Sequence, residues 1–170
     1  ALALAVQLDP DTTGEVRAAN LKRLIALRES LVPDDPSGEA ARLLAGDYRM
    51  AAITASAVQD FDTARAYDER AVGTLETLAA ADRYDLRRQG DLSAQYMGSA
   101  VEAYRRGDVP FTKQRLAQSI ALSDRLILID PTNGQYRQLA ANALGLVNAL
   151  ANLEGDVPGQ EESLKRVAEI

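Results

Sequence analysis

The side chains able to do chemistry in this chain are carboxylates, arginines, hydroxyls and carboxamides, because none of its 170 residues is Cys, His or Trp. That excludes disulfides, Cys/His zinc sites, Cys nucleophiles and histidine-based acid/base machinery. Asp130-Pro131-Thr132-Asn133 offers oxygen ligands, but it lacks the calcium-loop pattern and reads better as a turn. Glu161 and Glu162 are neighbours on a helix, which points them apart, and Asp34-Asp35 lies in a proline-bounded turn. Hydrolysis by paired acids needs two carboxylates about 5 to 9.5 Å apart across a cleft, and no spacing here implies one. The reading is a segment with no catalytic residue, no metal ligand set and no cofactor: not an enzyme.

Binding chemistry is the remaining option. The pairs Arg87-Arg88 and Arg105-Arg106 are few and flanked by acids, and 19 basic residues against 25 acidic ones give a net charge of −6. Such a balance opposes nucleic acid and anionic membrane surfaces as partners. Uninterrupted apolar runs such as Leu126 to Ile129 are far short of a membrane span. This points to a soluble piece without direct membrane contact, and the absence of Cys fits a periplasmic or other extracytoplasmic address. Asn142, Asn148 and Asn152 interrupt the apolar stretch LAANALGLVNALANL, although Asn is a poor helix former. Asn148 and Asn152 are four apart and share a helical face. Two readings stand for Asn148: it pairs with the backbone of a bound peptide, or it is buried and satisfied by a neighbouring helix.

The elements that would position these groups repeat. Asp60, Asp108 and Asp156 are spaced by 48, each followed by an apolar residue, Phe61, Val109 or Val157. Tyr48, Tyr96 and Leu144 share that spacing, and a second turn series, Asp35, Asp82 and Asp130, follows at 47 and 48. Between the turns lie proline-free runs of good helix formers at 39–58, 86–106 and 136–154, the A helices. The B helix 62–80 carries Ala64, Tyr67, Ala71, Leu75 and Leu78 on one face. Asp62 is expected to cap it, and Pro110 and Pro158 occupy the first turns of the next two B helices. Shifting the frame back places a first B helix at 16–32 and a truncated A helix at 1–8; the last B helix is 158–170. Because Ala1 falls within a helix, the chain is expected to begin inside a longer protein. The organisation read here is one helical-repeat domain over 1–170, with a partial unit 1–36 and units 37–83, 84–131 and 132–170. Short turns force neighbouring helices into antiparallel hairpins, and stacked hairpins bury a continuous core.

These residues resemble the tetratricopeptide repeat. The resemblance rests on Tyr48 and Tyr96 with the small residues Ala52 and Ala100 after them, and on the turns Gln59-Asp60, Gly107-Asp108 and Gly155-Asp156. Phe61, Ala64 and the ending LIDPTN around Pro131 add to it. It implies an all-α, right-handed solenoid of antiparallel helix hairpins. The unit is longer than the family's 34 residues, and Thr112, Gln160, Leu144 and Asn148 depart from its pattern. Long units of this kind are also similar to the repeat regions of bacterial Ser/Thr protein kinases. The resemblance further implies a protein or peptide partner in a groove lined by the A helices. Carried over position by position, that groove is Arg49, Ile53 and Ser56, then Met97, Val101, Tyr104 and Arg105, then Asn142, Gly145, Ala149 and Asn152. Arginine forks and Asn amides would suit an extended acidic or C-terminal peptide. Against this stands a plainer reading, with Arg49 and Arg105 solvated and Met97 and Tyr104 in the core. Two further functions remain open: self-association as a homodimer that brings attached kinase domains together, and sensing of a small molecule between the long helices.

Overall fold

The turns fix the architecture, and each kind of turn is built by one aspartate. In the computed structural model, which describes residues 14–170, the backbone N–H groups of Asp60, Asp108 and Asp156 donate to the carbonyls of Ala55, Ala103 and Ala151 at 3.0, 3.0 and 2.8 Å. This 6→1 bond closes the preceding helix, with the residue before the aspartate in the left-handed region: Gln59 at φ 62°, Gly107 at 75° and Gly155 at 71°. The same aspartates then accept at Oδ1 from the N–H of Thr63, Phe111 and Gly159 at 3.2, 3.2 and 3.1 Å, capping the next helix. The expected cap Asp62 is thus corrected to Asp60, because the helix begins at Phe61 and leaves Asp62 inside its first turn.

The other turn also recurs. Asp35, Asp82 and Asp130 accept at Oδ1 from the N–H two residues on (Ser37, Tyr84, Thr132) at 2.9, 3.0 and 3.2 Å. Their carbonyls accept from Gly38, Asp85 and Asn133, each at 3.3 Å. Asp85 and Asn133 then cap the following helices through their side chains. Asp35 additionally accepts from the Ala40 N–H at 2.6 Å, and that bond, with one from Ser37, holds its carboxyl below the usual range.

Between these turns run α1 Gly14–Leu31, α2 Glu39–Ala57, α3 Phe61–Ala81, α4 Leu86–Arg105, α5 Val109–Ile129, α6 Gly134–Glu154 and α7 Val157–Glu169, with a short 3₁₀ turn, Val32–Asp34, after α1. Pro110 and Pro158 sit in the first turns of α5 and α7, where no N–H is missed. The protein is all-α over the described residues, and no helix among them is long and apolar enough to cross a membrane. The expected helix at 1–8 lies outside the described residues.

The chain divides into two compact units within α3, after Ala71. In the first, Leu21 and Ile25 of α1 pack with Leu44, Tyr48 and Ala51 of α2 and Ala71 of α3, and Val32 and Tyr67 lie against them. In the second, α5 packs on α4, α6 on α5 and α7 on α6, an order compatible with a helical repeat. Its core joins Ala100, Leu116, Ala143 and Leu150, with Met97, Tyr104, Ile120 and Val147 against them. Small side chains let α4 and α5 approach closely: Ser93, Ser119 and Ser123 are all fully buried. Ser93 and Ser123 hydroxyls share a bond of 2.7 Å, and Ser119 Oγ donates to the Ser93 carbonyl at 3.0 Å.

Candidate functional site

Two clefts open beside the A helices, one in each unit. The first, about 380 Å³, is walled by α1, α2 and the start of α3: Leu21, Met50, Ile53, Val58 and Tyr67 give it an apolar lining, with Lys22 and Asp60 also in its wall. The second, about 480 Å³, is walled by α5, α6 and α7 over Leu116, Ile120, Val147 and Leu150. The two are built at equivalent positions. Ala51, Thr54, Ala55, Val58 and Asp60 line the first, and Val147, Leu150, Ala151, Glu154 and Asp156, each 96 residues on, line the second.

Their electrostatics differ. Charged residues cross the second cleft: Lys113 Nζ donates to both oxygens of Glu154 at 2.7 and 2.8 Å, and Arg166 donates to Asp124 at 2.8 Å. At the Glu154 position the first cleft has Val58, 70% exposed, with Met50 and Ile53 also exposed. An apolar side chain entering the first cleft would therefore displace water without breaking an ion pair.

The residues expected to line a groove fall into three groups. Arg49 and Ile53 are both exposed on α2, and at four residues apart they share a face; Ile53 lines the first cleft. Ser56 is half-buried beside them. Met97 and Tyr104 pack against the core of the second unit, and Val101 is half-buried. Arg105 is exposed and donates to Glu102 at 3.0 Å. Asn142 and Asn152 are exposed on α6, Asn142 accepting from Gln138 at 2.8 Å. Of the two readings of Asn148, the internal one holds: its amide donates to the Gln160 carbonyl and Ser163 Oγ of α7, each at 3.2 Å. Arg88 is tied back to Asp85 at 2.9 Å and to the Leu78 carbonyl at 3.4 Å.

Sequence reasoning missed Met50, Val58, Tyr67 and Lys22 as cleft residues. A signal was present: Met50, Ile53 and Ala57 recur at steps of three and four on α2, a second apolar stripe beside the buried one through Leu44, Tyr48, Ala51 and Ala55.

Behind the A helices lie carboxylate–phenol pairs. Tyr48 Oη donates to Glu29 and Tyr96 Oη to Glu76, each at 2.6 Å. Burial first, and then the bond to Glu29, push the Tyr48 phenol up to about 12; burial followed by Glu76 pushes Tyr96 upward too. A guanidinium lies over each ring, Arg70 at 5.5 Å from the Tyr48 centroid and Arg115 at 5.6 Å from that of Tyr96. Arg28 pairs with the buried Asp47 at 2.5 Å, whose carboxyl is raised by burial against the pull of that guanidinium. These groups fix helix against helix. Among the described residues no three acidic side chains converge as a metal site. Compared with known proteins, the chain matches no family model, no curated protein and no solved structure.

Proposed function

We propose that this chain is a protein-interaction module, a tetratricopeptide-like stack of helix hairpins that binds an extended peptide of a partner protein along its A helices. The observation that carries the reading is the apolar cleft of the first unit, in which Ile53 lies one helical turn from the exposed Arg49. An apolar peptide side chain seats on Met50, Ile53 and Val58, and a peptide carboxylate reaches the Arg49 guanidinium fork. Apolar contact supplies affinity, while the charge sets which peptide register is accepted.

Selection from a random peptide display library tests this. Enriched peptides are expected to pair an apolar residue with a nearby acid or a C-terminal carboxylate. Ile53→Asp should weaken their binding about tenfold or more, and Arg49→Glu should weaken acidic peptides more than their amide counterparts, both with unchanged circular dichroism. Absence of any enriched motif, or equal binding by Ile53→Asp, would overturn the reading.

A further inference from the structure

Helices α5 and α7 start at the same place in the 48-residue frame, so their first turns can be compared residue by residue. Asp108 caps α5 by accepting from the Phe111 N–H at 3.2 Å, and Asp156 caps α7 by accepting from the Gly159 N–H at 3.1 Å. On α5 the place beside the cap holds a ring: Phe111 is 7% exposed, with the Arg115 guanidinium 4.8 Å from its centroid. On α7 both groups are gone, Gly159 standing for Phe111 and Ser163 for Arg115. Gly159 instead forms part of the wall of the second cleft. That cleft therefore opens where the preceding pair of helices supplies an aromatic ring of its own.

The lining also carries a net charge. Around the apolar floor of Leu116, Ile120, Val147 and Leu150 stand three carboxylates, Asp124, Glu154 and Asp156, against two cations, Lys113 and Arg166. Lys113 pairs with Glu154 and Arg166 with Asp124, which leaves Asp156 with the excess negative charge. Its Oδ2 is the atom nearest to the missing side chain, since a Cβ built on Gly159 would collide with it. A cation placed there meets a carboxylate without breaking either ion pair. The volume of the cleft, about 480 Å³, lies in the range of small-molecule sites.

We propose that the second cleft binds a small aromatic ammonium compound, its ring on the apolar floor in the place left by a ring at Gly159 and its cation on the Asp156 carboxylate. This site is separate from the cleft assigned to peptide binding above and does not rest on that assignment. Burial of the ring provides the affinity, and Asp156 selects the charge.

The probe is phenethylammonium chloride, titrated calorimetrically into the whole chain up to millimolar concentration beside 3-phenylpropionate, which reverses the charge, and butylammonium, which lacks the ring. One-to-one saturation by phenethylammonium is expected, about tenfold tighter than by 3-phenylpropionate and tenfold or more tighter than by butylammonium. Gly159→Phe should abolish it with unchanged circular dichroism, because Phe111 already stands beside an identical cap. Asp156→Asn keeps a capping oxygen but removes the charge, and should weaken phenethylammonium about tenfold while leaving 3-phenylpropionate no weaker. Should Gly159→Phe not fold, Asp156→Asn alone decides. No saturation, equal binding of the acid or of butylammonium, or binding unmoved by either substitution overturns the proposal. So does loss of binding in Ile53→Asp, since the amine would then occupy the first cleft.

Discussion

Tyr48 and Tyr96 show how one residue type does the same work twice. Each phenol is buried, donates to a carboxylate on the preceding B helix and carries a guanidinium over its ring. The guanidinium reaches the second ring from a different position: Arg115 stands where the first unit has Tyr67, which stacks on Tyr48 at 6.2 Å. At the third position Leu144 has no hydroxyl to offer, and Asp124, 48 residues after Glu76, pairs with Arg166. Because the neutral phenol is favoured in the folded state, Tyr48 contributes stability that is complete below the ordinary tyrosine value near 10 and is lost as pH rises toward about 12. Melting temperatures between pH 9 and 11.5 should therefore fall less steeply for Tyr48→Phe than for the parent chain; parallel slopes would refute the assignment. At neutral pH that substitution should cost about 1 kcal/mol. At this scale the site was half legible. The resemblance implies Arg49 and Ile53 for the groove, and both are exposed on α2, whereas Met97 and Tyr104, open to a groove reading and to a core reading, pack against the core of the second unit. A helical stripe shows which residues share a side, not which neighbour lies over it.

The elements were far easier to read. The expected spans 39–58, 62–80, 86–106, 136–154 and 158–170 agree with the helices observed to within two residues at every end, because composition, spacing and turn aspartates all point to the same boundaries. The cap of α3 failed for a local reason. Asp60 and Asp62 both stand at the start of the helical run, Asp60 before Phe61 and Asp62 before Thr63, and only the backbone conformation at Gln59 decides which of them caps. That conformation yields a stability prediction. Gln59 is the sole described non-glycine residue with positive φ, whereas Gly107 and Gly155 fill the equivalent turns. Gln59→Gly should raise stability by about 0.5 to 1 kcal/mol, and Gly107→Gln should lower it by about 1 kcal/mol. Urea titrations compared at constant m-value would measure both. A destabilising Gln59→Gly would mean that the Gln side chain supports the turn.

For the whole molecule, what recurs is the frame and what varies is the surface mounted on it. The turn bonds repeat at constant spacing, while the corresponding cleft positions change from Val58 to Glu154 and from Thr54 to Leu150. If hairpins stack by nearest-neighbour contacts, removing 84–131 joins Asp82-Arg83 to Thr132-Asn133 and restores an intact turn of the second kind. Such a variant should keep its ellipticity per residue and unfold cooperatively at a lower temperature. Deletion of 84–120, which breaks the frame, should not. Loss of helicity in both would argue against interchangeable hairpins. The phenol–carboxylate bonds carry a last consequence, an optical one. With no tryptophan among the six tyrosines' neighbours in sequence or anywhere else in the chain, near-ultraviolet emission belongs to the tyrosines alone. Those held against Glu29 and Glu76 are the ones whose excited phenol has a proton acceptor within reach. Opening of an A helix from the B helix before it thus registers as a gain in brightness, and the protein reports the state of its own hairpins without a label.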